Sequence, residues 1–106
     1  GKQYSVRAIS TDALALTWTG ESVFAADLRM LSRNGKLLVR SVEPMACEVF
    51  PKGIRYCLEM ESMVTLGVEK EPPAIRVNGA KASFRYDSST RSARLALPAG
   101  EGIIEF

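Results

Sequence analysis

From Ala74 to Phe106 the chain reads AIRVNGAKASFRYDSSTRSARLALPAGEGIIEF, and its apolar residues recur at every second position in short runs. Ile75 and Val77, Phe84 and Tyr86, Leu95 and Leu97, and Ile104 and Phe106 form successive pairs of this kind. A period of two places apolar side chains on one face of a pleated strand and polar ones on the other. The same period governs the rest of the sequence. Tyr4, Val6 and Ala8 alternate with Ser5, Arg7 and Ile9, and Leu14, Leu16 and Trp18 follow the Ser-Thr-Asp turn at 10–12. Ile54, Tyr56, Leu58 and Met60, then Val64, Leu66 and Val68, continue it.

Turn chemistry separates the runs. Asn34-Gly35 lies between Leu28–Arg33 and Lys36–Val42, and Asn78-Gly79 lies between Ile75–Val77 and Ala82–Tyr86. Asn-Gly tolerates the positive φ angles of a type I′ hairpin, so both are predicted two-residue turns. Residues 87–92 and 98–102 read as longer loops, and Pro72-Pro73, which cannot donate to a ladder, marks a crossover or an edge. Glu21 to Leu31 contains good helix formers, with Phe24, Leu28 and Leu31 able to share a helical face. The adjoining Asn-Gly hairpin favours strand over a short helix there, because context outweighs propensity. About nine short strands separated by turns predict an all-β, antiparallel two-sheet β-sandwich of immunoglobulin-like type, with a closed barrel as the alternative. No linker divides residues 1–106, which read as a single domain; the Gly1 start suggests a piece of a longer chain.

Composition removes several functional classes. Fourteen basic and twelve acidic residues are spread along the chain without a basic block, giving a net charge of +2, so no nucleic-acid partner is expected. No apolar run approaches the roughly 18 residues of a bilayer-spanning helix, so no membrane partner is expected. There is no histidine, which removes the commonest general base, the Ser-His and Cys-His nucleophile pairs, and the commonest metal ligand together. Two cysteines without histidine supply half of a structural zinc set, so no metal and no cofactor are expected. The glycines form neither a dinucleotide fingerprint nor a Walker loop.

Cys47 and Cys57 flank the segment Phe50-Pro-Lys-Gly-Ile54, which fits a three-residue hairpin loop with Pro51 first and Gly53 in the left-handed position. That register is centred on Lys52, so Phe50 faces Ile54, Glu48 faces Tyr56 and Cys47 faces Cys57. The cysteines then fall on a non-hydrogen-bonded pair with Cα atoms about 4.5 Å apart, at the near limit of disulfide geometry. Two readings stand: a cross-strand disulfide made in an oxidising compartment, or two reduced, partly buried thiols acting as small apolar residues. The strain of so close a bridge favours the thiols.

Other side chains carry weaker signals. Glu59/Glu61 and Glu69/Glu71 are spaced by two, which on a strand would put each pair about 7 Å apart, within a glycosidase range. They read more simply as polar residues on the outer face of half-buried strands. Arg29, Arg33, Lys36 and Arg40 decorate the Asn34-Gly35 hairpin as an anion-binding patch or, more simply, as charges that deter edge pairing. Trp18 and Tyr4 are the candidates for a sugar-stacking platform, although Trp18 continues the Leu14–Leu16 face and is expected in the core.

Val77-Asn-Gly-Ala-Lys-Ala-Ser-Phe-Arg-Tyr-Asp87, followed by Ala93–Leu97 and Pro98-Ala-Gly-Glu-Gly-Ile-Ile-Glu-Phe106, carries a resemblance. It resembles the ending of the C-terminal β-sandwich modules of bacterial polysaccharide-degrading enzymes, among them glycoside hydrolases and heparinase-like lyases. In those modules a V-N-G-x-x-x-x-F-x-Y-D hairpin leads into an L-P-A-G-E turn and a final strand. The match covers Val77 to Phe106 and brings no site residues with it. The resemblance implies a secreted or periplasmic, non-catalytic module whose partner is the catalytic domain of the same parent chain, with a polysaccharide as a second partner. An independent carbohydrate-binding module and an adhesion-type immunoglobulin-like domain are the alternatives. A docking module requires an apolar patch on one face, and a uniformly polar surface would count against it.

Overall fold

The computed structural model describes residues 2–20 and 22–106. Among these residues there are twelve strands, all paired antiparallel, and no helix. In chain order they are β1 (Tyr4–Val6), β2 (Ile9–Thr11), β3 (Ala15–Thr19), β4 (Ser22–Arg33), β5 (Lys36–Phe50) and β6 (Gly53–Leu58). Then follow β7 (Ser62–Gly67), β8 (Ile75–Val77), β9 (Ala80–Ala82), β10 (Arg85–Asp87), β11 (Ser92–Leu97) and β12 (Gly100–Glu105). The count exceeds the nine or so read from turn spacing because several strands have only three residues, too few to display a period. The segment with mixed helix and strand signals is strand from Ser22 onward; its first residue, Glu21, lies outside the described residues.

The Asn-Gly turns form as their chemistry dictates. Asn34 and Gly35 have φ angles of 53° and 76°, and Asn78 and Gly79 have 53° and 84°, the paired positive values of a type I′ turn. A third such hairpin is unexpected. Tyr4–Ile9 is not one strand, because Arg7 and Ala8 take φ angles of 51° and 64° and fold β1 back on β2. Neither residue favours the left-handed region. The 98–102 loop is also shorter than expected: only Pro98 and Ala99 connect the strands, and Gly100 to Gly102 already lie in β12.

The long β4–β5 hairpin organises the molecule. Its register shifts between Ala25 and Leu28 and again before Met30, with Asp27 at φ 55°. One oxygen of Asp12, Oδ1, accepts the amides of Arg29 at 2.9 Å and Met30 at 3.1 Å, fixing the irregular backbone. Pro44 lies in the stretch of β5 that has no partner on β4, where its missing N–H costs no ladder bond. On either side of this bend the two strands have different neighbours. In the first branch, β3 pairs with the start of β4, and the end of β5 leads to β6, β12, β8 and β9. In the second branch, β2 and β1 join the end of β4, and the start of β5 leads to β7, β11 and β10. Pro72-Pro73 falls in a connection between the branches, as do Pro98 and Ala99.

One face of each branch is apolar and buried. Val23, Ala25, Cys47, Val49, Ile54, Tyr56, Leu58 and Ile104 line the first, and Ile9, Leu31, Val39, Val64, Leu66, Ala93, Leu95 and Leu97 the second. All sixteen belong to the same hydrophobic cluster. Leu14 departs from expectation: it is 75% exposed, and the adjacent Ala13 takes the buried place while Leu16 and Trp18 are half-buried. The Leu14 amide donates to the Ala26 carbonyl, and this residue precedes β3 rather than belonging to its inward face.

Candidate functional site on the outer face of the first branch

The β5–β6 register decides what this face presents. The strands pair as Phe50 with Gly53, Val49 with Ile54, Cys47 with Tyr56 and Ala46 with Cys57, one residue away from the register centred on Lys52. The loop is therefore Pro51-Lys52 alone, and Gly53 is not in the left-handed region. Its requirement is proximity instead: a Cβ there would lie 2.9 Å from the Ile104 carbonyl oxygen of β12. A slip of one residue reverses every side chain. Cys47 accordingly points into the core and Cys57 points outward, so the disulfide reading is corrected and both thiols are free. Burial pushes the Cys47 thiol up to about 12, which leaves it protonated and inert.

Outward-facing residues of β4, β5, β6 and β12 form a cross-strand row of Phe24, Glu48, Arg55 and Ile103. Phe24 and Ile103 are each 43% exposed. Between them Arg55 and Glu48 approach to 3.9 Å, a loose surface ion pair. The next row is Ala46, Cys57 and Glu101. Phe24, Glu48, Arg55, Cys57 and Glu101 line a shallow cleft of about 350 Å³. It adjoins a second cleft of about 440 Å³ at the bend, lined by Asp27, Glu43, Cys57, Glu59 and Met60. Ala46 and Cys57 are common to both, and of the two only Cys57 carries a reactive group.

The other sequence-derived candidates are dispersed. Glu59 and Glu61 lie in the connection between β6 and β7, and Glu69 and Glu71 in the one after β7, so neither pair shares a strand face. Glu69 is bound by Lys36 at 2.6 Å and Arg91 at 2.9 Å, and the Lys36 hydrogen bond and charge hold its carboxyl below its ordinary range. The hairpin cations likewise do not converge. Lys36 serves Glu69, Arg29 Nε donates to the Val42 carbonyl, and Arg40 stands on the outer face of the second branch. Trp18 lines a cleft of about 550 Å³ with Arg7, Arg33 and Phe50, but the Arg7 guanidinium sits 4.9 Å from its ring centroid and covers the indole. Tyr4 donates its hydroxyl to the Ala13 carbonyl at 2.8 Å. Neither aromatic is a free stacking platform.

Among the described residues, no three Cys, Asp or Glu side chains converge to hold a metal ion. What the Cys57 surface offers is shape, apolar area and a few charges. No protein-family model matches this chain, and no curated protein matches it.

Proposed function

We propose that the chain is a non-catalytic accessory module of a carbohydrate-processing enzyme. In this reading the two branches stack as the layers of an immunoglobulin-like β-sandwich, and the outer face of the first branch packs against a catalytic domain of the same parent chain. Two apolar sheet faces with no helix among the described residues to cover them bury each other most simply by stacking. A radius of gyration of 12.7 Å supports that compactness, being close to the value of about 13 Å for a folded domain of 100 residues. The observation that carries the docking role is the exposure of Phe24 and Ile103 at the two ends of one outward row, with Met60 61% exposed beside it. The outer face of an antiparallel sheet is ordinarily polar. A patch mixing such residues with Glu48, Arg55 and Glu101 has the character of an inter-domain contact, which is more polar than an obligate interface.

The two cysteines supply the test. Cys57 sits in the middle of the proposed contact, whereas Cys47 is a buried internal control. An aromatic disulfide reagent should label one thiol in the folded chain and two after unfolding. In the longer gene product that places this chain beside a catalytic domain, Cys57 should be protected. Equal labelling of Cys57 in both forms, or a gene product with no catalytic domain, would overturn the proposal.

A further inference from the structure

The second branch carries a different outward row. Register pairs Met30 with Arg40, Arg40 with Thr65, Thr65 with Arg94 and Arg94 with Arg85, so three arginines stand in line across β5, β7, β11 and β10. All three are exposed. None has an ion pair or a side-chain hydrogen bond among the described residues. Arg94 and Arg85 are direct cross-strand partners, an arrangement that destabilises a sheet. Protection of an edge explains Arg85, which is on the terminal strand β10, but not Arg94 or Arg40, which are interior. Two carboxylates beside this row, Asp87 and Asp12, have other duties. Asp87 Oδ1 accepts the amide of Ser89 at 2.9 Å and its hydroxyl at 2.6 Å, and Asp12 holds the bend.

We propose that this guanidinium row binds a linear acidic polysaccharide through its sulfate or carboxylate groups. Strands stand about 4.8 Å apart, so the three guanidiniums are set at roughly one and two strand spacings along a line, a scale comparable to successive sugar units. Guanidinium forks match planar carboxylate and tetrahedral sulfate oxygens in pairs. Beside the row lies an apolar one, Met63 and Ala96 with Val42 next to Arg40, on which the C–H faces of sugar rings can rest. Among the described residues no exposed aromatic ring stands in or beside this row for stacking bases, and the chain's net charge of +2 is far from the broad basic surface of a nucleic-acid binder. The proposal stands apart from the docking role, because the two use different faces.

Titration of the 106-residue chain with heparin and with polygalacturonate, beside neutral dextran and duplex DNA at increasing salt, tests it. Heparin, polygalacturonate or both should bind, and dextran should not. The slope of log affinity against log salt should fall by about one for each of Arg40→Gln, Arg85→Gln and Arg94→Gln. The triple variant should lose about tenfold or more in affinity, while Lys81→Gln on the first branch should lose nothing. Melting by circular dichroism checks that each variant folds, and if the triple variant does not, the single variants decide. Absence of binding to both polyanions, an unchanged slope in the arginine variants, or an equal loss in Lys81→Gln would overturn the proposal. So would duplex DNA binding as tightly as either polysaccharide, which would reassign the row to nucleic acid.

Discussion

The two outward faces of this sheet are built from the same alternation yet differ in kind. On the first branch, apolar side chains flank a loose ion pair, and both signs of charge are present in Glu48, Arg55 and Glu101. On the second, Arg40, Arg94 and Arg85 stand in line without an ion pair among the described residues. The inward faces show no such contrast, since both are apolar and closely buried. Burial constrains one side of each strand, and the opposite side is left free to differ. Whatever distinguishes this protein from others of its architecture is therefore to be sought on its solvent side.

The contrast can be broken most severely at Gly67, where an added Cβ would lie 1.7 Å from the Leu37 carbonyl oxygen. Gly67→Ala must part β7 from β5 and disrupt the second branch, at a cost of about 3 kcal/mol. Differential scanning calorimetry should show the midpoint falling by more than about 10 °C; an unchanged midpoint would mean that the two strands do not approach as described. A smaller effect comes from pH. The unfolded thiol of Cys47 ionises near 9.0 and the folded one near about 12, so between these values only the folded state keeps the proton. Its contribution is full below pH 9 and is lost as the pH rises toward 12, with a slope of at most about 1.4 kcal/mol per pH unit. Urea unfolding at a series of alkaline pH values should show a steeper loss in the parent chain and in Cys57→Ala than in Cys47→Ala. Parallel slopes in all three would reject the burial of Cys47.

Substitutions on the outer faces should be milder and should separate the two roles. Phe24→Ser should cost the isolated chain less than about 1 kcal/mol, because the ring is already half in water. Under the proposed docking role it should nonetheless increase Cys57 labelling when the chain is joined to its catalytic domain, and a large loss of stability would show Phe24 to be a core residue. The smallest effect should be favourable. Arg94→Gln removes a like-charge cross-strand pair and should raise stability by roughly 0.3 kcal/mol at low salt, fading as salt is added. A clear decrease would imply that Arg94 has an attractive partner.

Local chemistry explains what could be read in advance. Asn34-Gly35 and Asn78-Gly79 were legible because their residues favour the conformation that they adopt. Arg7-Ala8 makes a turn of the same kind from residues with no such preference, so its hairpin looked like one strand. The cysteine register was legible in principle. Met45, Cys47 and Val49 occupy odd positions, whereas Ile54, Tyr56 and Leu58 occupy even ones, and facing apolar residues must share a side of the sheet. That parity requires a two-residue loop, and it outweighs the turn preference of Pro-Lys-Gly that suggested three. The arginine row was illegible for a deeper reason. Arg40, Arg85 and Arg94 are isolated in sequence, and only pairing across four strands aligns them.

Because β4 and β5 each run through both branches, there is no seam along which the sheet can part. Loss of either branch strips half the partners from strands that the other branch still needs. Hydrogen exchange at the two ends of the molecule should thus report one opening event of common free energy, apart from the fraying three-residue strands. A pull or a strain applied at one outward face is borne by the same two backbones that support the other.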